Sequence, residues 1–390
     1  MKGSSSHIFI YSCRIFALLL LAPLLISCGA EKRSYEELLT PSYLSDYSPG
    51  FAIYSIEGME STVIRITNPW QGSEGVSMDA FVERNGEKAP VGFTGQVIPS
   101  DPRRIVALSS SYVGMLDFLG EVERVVAVSG KQYITNDFVT DPSHGVVDLG
   151  PTMQYEQLLA TQPDLVLCYG VDDAEGGLTS HLEELGIPYL YMGEYLEEDP
   201  LGRAEWVMVL AELFDLREKA VEAFEEVEQR YLATMALTQG LSDEQKPKVM
   251  LNMPWNDAWF LPTSNSYIVR IFEDAGATPI TGGTARGETK TIGMEQALLY
   301  LSEAAFWLHP GQARGYGDLP AKIREHKAQV RPIREDHIYN NNARTTPAGG
   351  SDYWESGVMH PEVILADLVS IFHPELIDHE LYYYHKIEVQ

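Results

Sequence analysis

The sequence predicts an α/β protein: two doubly wound lobes joined by a long rigid helix, with a small N-terminal β-rich extension. Three observations predict it. From Arg104 to Met192 short apolar runs alternate with helical stretches. From Pro200 to Gly240 no strand signal occurs at all. From Val249 onward a second strand–helix series begins. Continuous apolar strands alternating with amphipathic helices mean a parallel sheet covered on both faces.

The first 27 residues read as a signal peptide. Lys2 and Arg14 give a positive start, and the apolar run Ile15 to Ile26 is shorter than the roughly 20 residues of a membrane span. It closes at Ser27 and Cys28, as an h-region ending at small residues does. This ending resembles a lipobox, which implies that Cys28 is the lipidated first residue of an exported protein anchored to a membrane. Cys13 would leave with the signal, so Cys168 alone remains and no intrachain disulfide is available. Residues 28–50, polar with scattered Leu and Tyr, read as a tether.

Residues 51–100 form the β-rich extension. Phe51 to Ile56 and Ser61 to Thr67 are β-branched, alternating runs punctuated by Asn68, Pro69 and Gly72. Residues 101–200 make the first lobe. Its strands are Ile105–Leu108, Val125–Val128, Asp164–Cys168 and Tyr189–Met192, and its helices Tyr112–Leu119, Gln154–Thr161 and Leu178–Leu185. Residues 201–240 are linking helices: one over Leu201–Leu213, and a second capped by Asp215 and running to about Thr238. Leu216, Ala220, Phe224, Val227, Tyr231 and Met235 step by three or four along one face. The second helix would be about 36 Å long, which suits a strut between lobes. Residues 241–390 make the second lobe, with strands at Val249–Asn252, Ala258–Leu261, Ala305–Leu308 and His337–Asn340, and helices at Tyr267–Ala275, Glu295–Leu301 and Pro361–Phe372.

The two lobes share a register. Tyr155-Glu156-Gln157 opens a helix, and an apolar strand begins eight residues after the glutamate. Met294-Glu295-Gln296 repeats this spacing, and both strands run out into a ring and a glycine, Tyr169-Gly170 and His309-Pro310-Gly311. Two similar lobes facing one another make a cleft.

Composition excludes some functions. With 56 Asp and Glu against 28 Lys and Arg, the chain lacks the basic footprint that nucleic acid requires. Ser109, Ser110 and Ser111 have no Gly-x-Ser-x-Gly context. Gly282 to Thr289 imitates a phosphate loop but carries Glu288 where a lysine is needed. His379-Glu380 begins like a zinc-protease helix, yet Tyr383 stands at the second histidine position. No catalytic residue, cofactor or resident metal is expected.

Binding remains. In doubly wound sheets ligands sit beyond the carboxyl ends of the strands. The loops leaving those ends supply Ser110, Tyr112, Tyr169, Trp255, His309, Asn341, Arg344, Asp352, Tyr353 and Trp354. Aromatic bodies with polar handles suit a bulky, partly apolar ligand. Arg344 and Arg286 could pair with ligand carboxylates.

Several of these residues also resemble a known family. Arg104 to Ser109, Leu119 to Val128, Gln162 to Leu167, Asp274-Ala275-Gly276, the Glu295 segment and His373-Pro374 are similar to the periplasmic binding proteins of ABC importers for iron chelates, haem and cobalamin. The resemblance covers roughly residues 100–375. It implies two α/β lobes joined by one rigid helix, a shallow cleft, and one exposed glutamate per lobe, Glu156 and Glu295, docking on arginines of the permease. The expected partners are a metal-chelate or tetrapyrrole-type small molecule, an ABC permease of the inner membrane and the lipid anchor, and the expected location is the periplasm. The alternatives are a receptor for a bare metal ion, which needs three or four converging His, Asp or Glu ligands, and an exported enzyme on the same scaffold.

Overall fold

The computed structural model describes residues 34–150, 153–170, 177–283 and 290–389. The signal segment, Cys28 and Arg286 lie outside the described residues. No helix among the described residues is long and apolar enough to cross a membrane.

Structure begins earlier than the tether expectation allowed. A 3-10 turn over Tyr35–Leu38 leads into β1 (Leu39–Leu44), followed by β2 (Phe51–Ile56), β3 (Thr62–Thr67), β4 (Ser77–Glu83) and β5 (Gln96–Pro99). They form one five-stranded sheet in that order, antiparallel except for the parallel pair β4–β5. The outer strand β1 shifts register between Pro41 and Tyr43. Alternation gives the sheet two apolar faces. Ile53, Ile64, Ile66, Val82 and Ile98 join the main core of the molecule, while Val63 and Phe81 pack with Tyr35 and Phe93 on the other side.

This sheet is bolted to the rest of the protein by buried carboxylates. Glu205 accepts Tyr43 Oη at 2.7 Å, the Asp46 and Tyr47 amides at 3.0 Å, and the Ser45 hydroxyl. Glu212 accepts Thr62 Oγ1 at 2.7 Å and pairs with Arg84 at 3.1 Å and Arg217 at 2.9 Å. A buried charge is tolerated only when paired and hydrogen-bonded, so segments 43–48 and 62–84 are held in place.

In the first lobe β6 (Ile105–Ala107), β7 (Val125–Val128), β8 (Val147–Asp148), β9 (Leu165–Cys168) and β10 (Tyr189–Tyr191) form a fully parallel sheet in the order β10-β9-β6-β7-β8. Its helices are α1 (Ser110–Phe118), α2 (Asp137–Thr140), α3 (Tyr155–Ala160) and α4 (Leu178–Leu185).

The expected helix over 201–213 is two helices, α5 (Pro200–Glu205) and α6 (Val207–Leu213). Trp206 stands between them and sends its indole N–H to Glu197 at 2.8 Å. All seven residues of α6 are buried. Asp215 does not cap the strut: it has a positive φ of 58°, and Leu216 precedes α7 (Arg217–Ala236). With 20 residues, α7 is about 30 Å long. It leaves α6 and lies along the helix over Pro361–Phe372, and its Tyr231 Oη reaches Asp274 at 2.7 Å.

The second lobe contains β11 (Lys248–Leu251), β12 (Ala258–Leu261), β13 (Thr278–Pro279), β14 (Lys290–Gly293), β15 (Phe306–Leu308), β16 (Ile338–Asn340) and β17 (His385–Lys386). Its helices are α8 (Tyr267–Asp274), α9 (Met294–Glu303), α10 (Ala321–Glu325), α11 (Arg331–Arg334) and α12 (Pro361–Phe372). The sheet runs β13-β11-β15-β16-β17, parallel but for β17, and β12 pairs with β14 as a separate ribbon. The run β10-β9-β6-β7 in one lobe therefore matches β16-β15-β11-β13 in the other. The shared register has a topological cause: β9 and β15 are each interior strands preceded by a helix whose second residue is glutamate.

The lobes touch where Asn265 Nδ2 donates to Glu198 at 3.0 Å and along a seam beside the strand exits. Thr135 donates its amide to Glu355 at 2.7 Å, and Thr346 Oγ1 donates to Gln132 O at 2.8 Å. Gly350 lies so close that a Cβ there would stand 1.9 Å from Tyr133 O.

Candidate ligand-binding site

The carboxyl ends of β6, β7, β15 and β16 meet around a hollow of about 310 Å³ between the lobes. That volume lies at the small end of the range for small-molecule sites. Ser110 and Tyr133 wall it from the first lobe; Gln312, Asn341, Gly350 and Trp354 wall it from the second. Ser110 opens α1, so it sits at the strand exit by construction. Asn341 is buried, and among the described residues its Nδ2 has no hydrogen-bond partner. The Trp354 indole is 43 % exposed and rests edge-on against Tyr353, with ring centroids 4.7 Å apart.

Two more expected residues leave neighbouring strand ends, outside the lining of the hollow. Tyr169, 45 % exposed, leaves β9 with its ring edge-on to Tyr195 at 6.5 Å. Trp255 is 72 % exposed beyond β11, two residues from Met253, which packs against Gly311.

The remaining expectations land elsewhere. Tyr112 is wholly buried, its hydroxyl 3.4 Å from Met192 O. Tyr353 is buried among Tyr383, Tyr384 and His309. His309 is also buried: its Nε2 lies 2.7 Å from Tyr384 Oη, and burial pushes its pKa down to about 3, so the ring is neutral. These three are buried and do not line the hollow. Arg344 and Asp352 pair with one another at 2.7 Å, and the guanidinium lies 4.6 Å over the Tyr382 ring. Both line a separate flank cavity of about 580 Å³ between α1 and the 344–356 segment. Arg344 is thus already satisfied by a carboxylate of its own chain.

Beneath the first-lobe exits runs a polar chain. Ser109 Oγ lies 2.8 Å from Ser111 Oγ, and Ser111 Oγ donates to Glu194 at 2.6 Å. Burial raises the Glu194 pKa.

Sequence reasoning missed Tyr133 and Gln312. Each follows a strand end through a positive-φ glycine, Gly130 and Gly311. Reading five residues past every strand would have found both. Glu156 and Glu295 are exposed, each the second residue of its helix, at the strand-exit end of each lobe. His379 is on no helix; its Nε2 meets Asp367 at 2.7 Å. Among the described residues no three His, Cys, Asp or Glu gather as a metal site would need.

A family model for periplasmic binding proteins matches residues 105–341. An uncharacterised lipoprotein of Methanocaldococcus jannaschii is 23 % identical over 352 residues, covering 80 % of this chain and 78 % of that protein. The fold is similar to that of a periplasmic haem-binding protein from Pseudomonas aeruginosa (TM-score 0.56, 16 % identity, 74 % of this chain and 98 % of that one). It is similar also to a periplasmic vitamin B12-binding protein from Vibrio cholerae (TM-score 0.51, 14 % identity, 71 % and 99 %). The resemblance drawn from Arg104–Ser109 and the segments after it is borne out, and the chain belongs to the periplasmic binding protein family.

Proposed function

We propose that this protein is an exported receptor, held in the periplasm by a lipid on Cys28. It captures an iron chelate, haem or a cobalamin-type compound between its lobes and passes it to an ABC permease. The observation that carries the ligand part is the hollow at the strand exits, with the unpaired Asn341 amide in its wall and the Trp354 indole at its edge. A buried donor without a partner is costly, and an acceptor oxygen on a ligand would satisfy it. Exposed aromatic faces add apolar contact area.

On this reading Ser110, Tyr133, Tyr169, Trp255, Asn341 and Trp354 touch the ligand, while Arg344 and Asp352 brace the seam. Glu156 and Glu295 form a symmetric pair of carboxylates that orients the protein on a symmetric permease. Calorimetric titration of the purified chain with haemin, aquocobalamin and a ferric hydroxamate tests the reading. Binding of at least one at micromolar Kd or tighter is expected; binding of none refutes it. Changing Cys28 to serine should move the protein from the membrane fraction to the soluble one.

A further inference from the structure

The N-terminal sheet precedes the family match, which begins at residue 105. It nonetheless reaches the strand-exit end of the first lobe. The turn between β3 and β4 ends beside the exit of β9, where Trp70 and Gly170 form a parallel β-bridge. The indole and its Cβ fill the space a side chain at 170 would need: a Cβ on Gly170 would stand 2.5 Å from Trp70 Cβ and 3.1 Å from its Cγ. The same indole lies 5.3 Å from the Tyr191 ring.

The turn itself is fixed. Trp70 N donates to Ser73 Oγ at 3.0 Å, Gly75 N to Asn68 Oδ1 at 2.8 Å, and Asn68 N to Val76 O at 2.9 Å. On the other side of the strand exit, Tyr195 Oη donates to Gly170 O at 2.6 Å. The backbone that presents Tyr169 is therefore clamped between Trp70 and Tyr195. The sheet behind Trp70 is anchored by Glu205 and Glu212 and shares the main core.

We propose that the N-terminal sheet acts on the ligand site through Trp70, a positioning residue that holds Tyr169 at the exit of β9. Preorganising a binding side chain raises affinity by removing the cost of ordering it on binding. The proposal rests on the receptor reading above, and it adds a determinant of ligand choice from outside the two lobes.

The test is a double-mutant cycle in the full chain: Trp70→Ala, Tyr169→Ala, both together, and Trp70→Phe. Each is titrated calorimetrically with whichever of haemin, aquocobalamin and the ferric hydroxamate the unaltered protein binds. Trp70→Ala and Tyr169→Ala should each weaken binding about tenfold. The double variant should be no weaker than the worse single one, and Trp70→Phe should recover most of the affinity. Should Trp70→Ala fail to fold by circular dichroism, Trp70→Leu replaces it in the cycle. Unchanged affinity of the Trp70 variant, or losses that simply add, overturns the inference and leaves the receptor reading standing. If the unaltered protein binds none of the three compounds, the receptor reading falls and this inference falls with it.

Discussion

Glu355 accepts the main-chain amide of Thr135 at 2.7 Å, a bond that joins the second lobe to the first. The carboxyl is buried, and burial pushes its pKa up to about 7 against the lowering effect of that amide. Its folded pKa exceeds its unfolded one, so the folded state holds the proton more tightly. This contribution is fully present below pH 4.5 and is lost as pH rises to 7, amounting to about 3 kcal/mol. Glu355→Gln, which keeps an acceptor for Thr135, should gain stability over the parent as pH rises from 5 to 8. Urea unfolding at several pH values checks this, and a difference that does not change with pH would refute it.

Glu205, itself buried, ties segment 43–48 to α5 through hydrogen bonds. Glu205→Ala strands these donors and should cost about 3–5 kcal/mol, read from the shift in denaturant midpoint. A loss below about 1 kcal/mol would match an ordinary exposed pair instead.

Tyr353 and Trp354 are neighbours with opposite fates. Tyr353 is in the core, so Tyr353→Ala should destabilise the fold by about 3–5 kcal/mol. Trp354→Ala should leave the melting temperature nearly unchanged and weaken ligand binding roughly tenfold. Parallel thermal melts and titrations separate the two. Equal effects of both changes on stability would contradict the assignment.

The paired Glu156→Ala, Glu295→Ala variant should bind ligand with the parent's affinity yet fail to support uptake in cells that depend on it. Uptake of labelled ligand at the parent's rate would remove the docking role. Both glutamates are exposed at helix starts, so stability should change by well under 1 kcal/mol.

Much of the lobe architecture was legible because its signals are local. Val125–Val128, Leu178–Leu185 and Pro361–Phe372 have the bounds the apolar pattern indicates. β1 was missed because it is an edge strand whose residues are mostly exposed, leaving no alternation to read. The site was legible only in part. A strand exit says where the backbone emerges, not which way the side chain turns. Tyr112, His309 and Tyr353 emerge at the right places and turn inward, because Tyr384 Oη and Met192 O meet their polar atoms inside the core. The Trp70–Gly170 contact links positions 100 residues apart and has no sequence signature.

Open sheet edges invite other chains, since each unpaired strand offers a row of amides and carbonyls. Here the outer strands of the three five-stranded sheets are short: β8, β13 and β17 have two residues, β10 three and β5 four, and β1, the longest, carries Pro41 and a register shift. Proline contributes no N–H, and the shift bends the edge out of line. Copies packed side by side thus find little on these edges to zip onto.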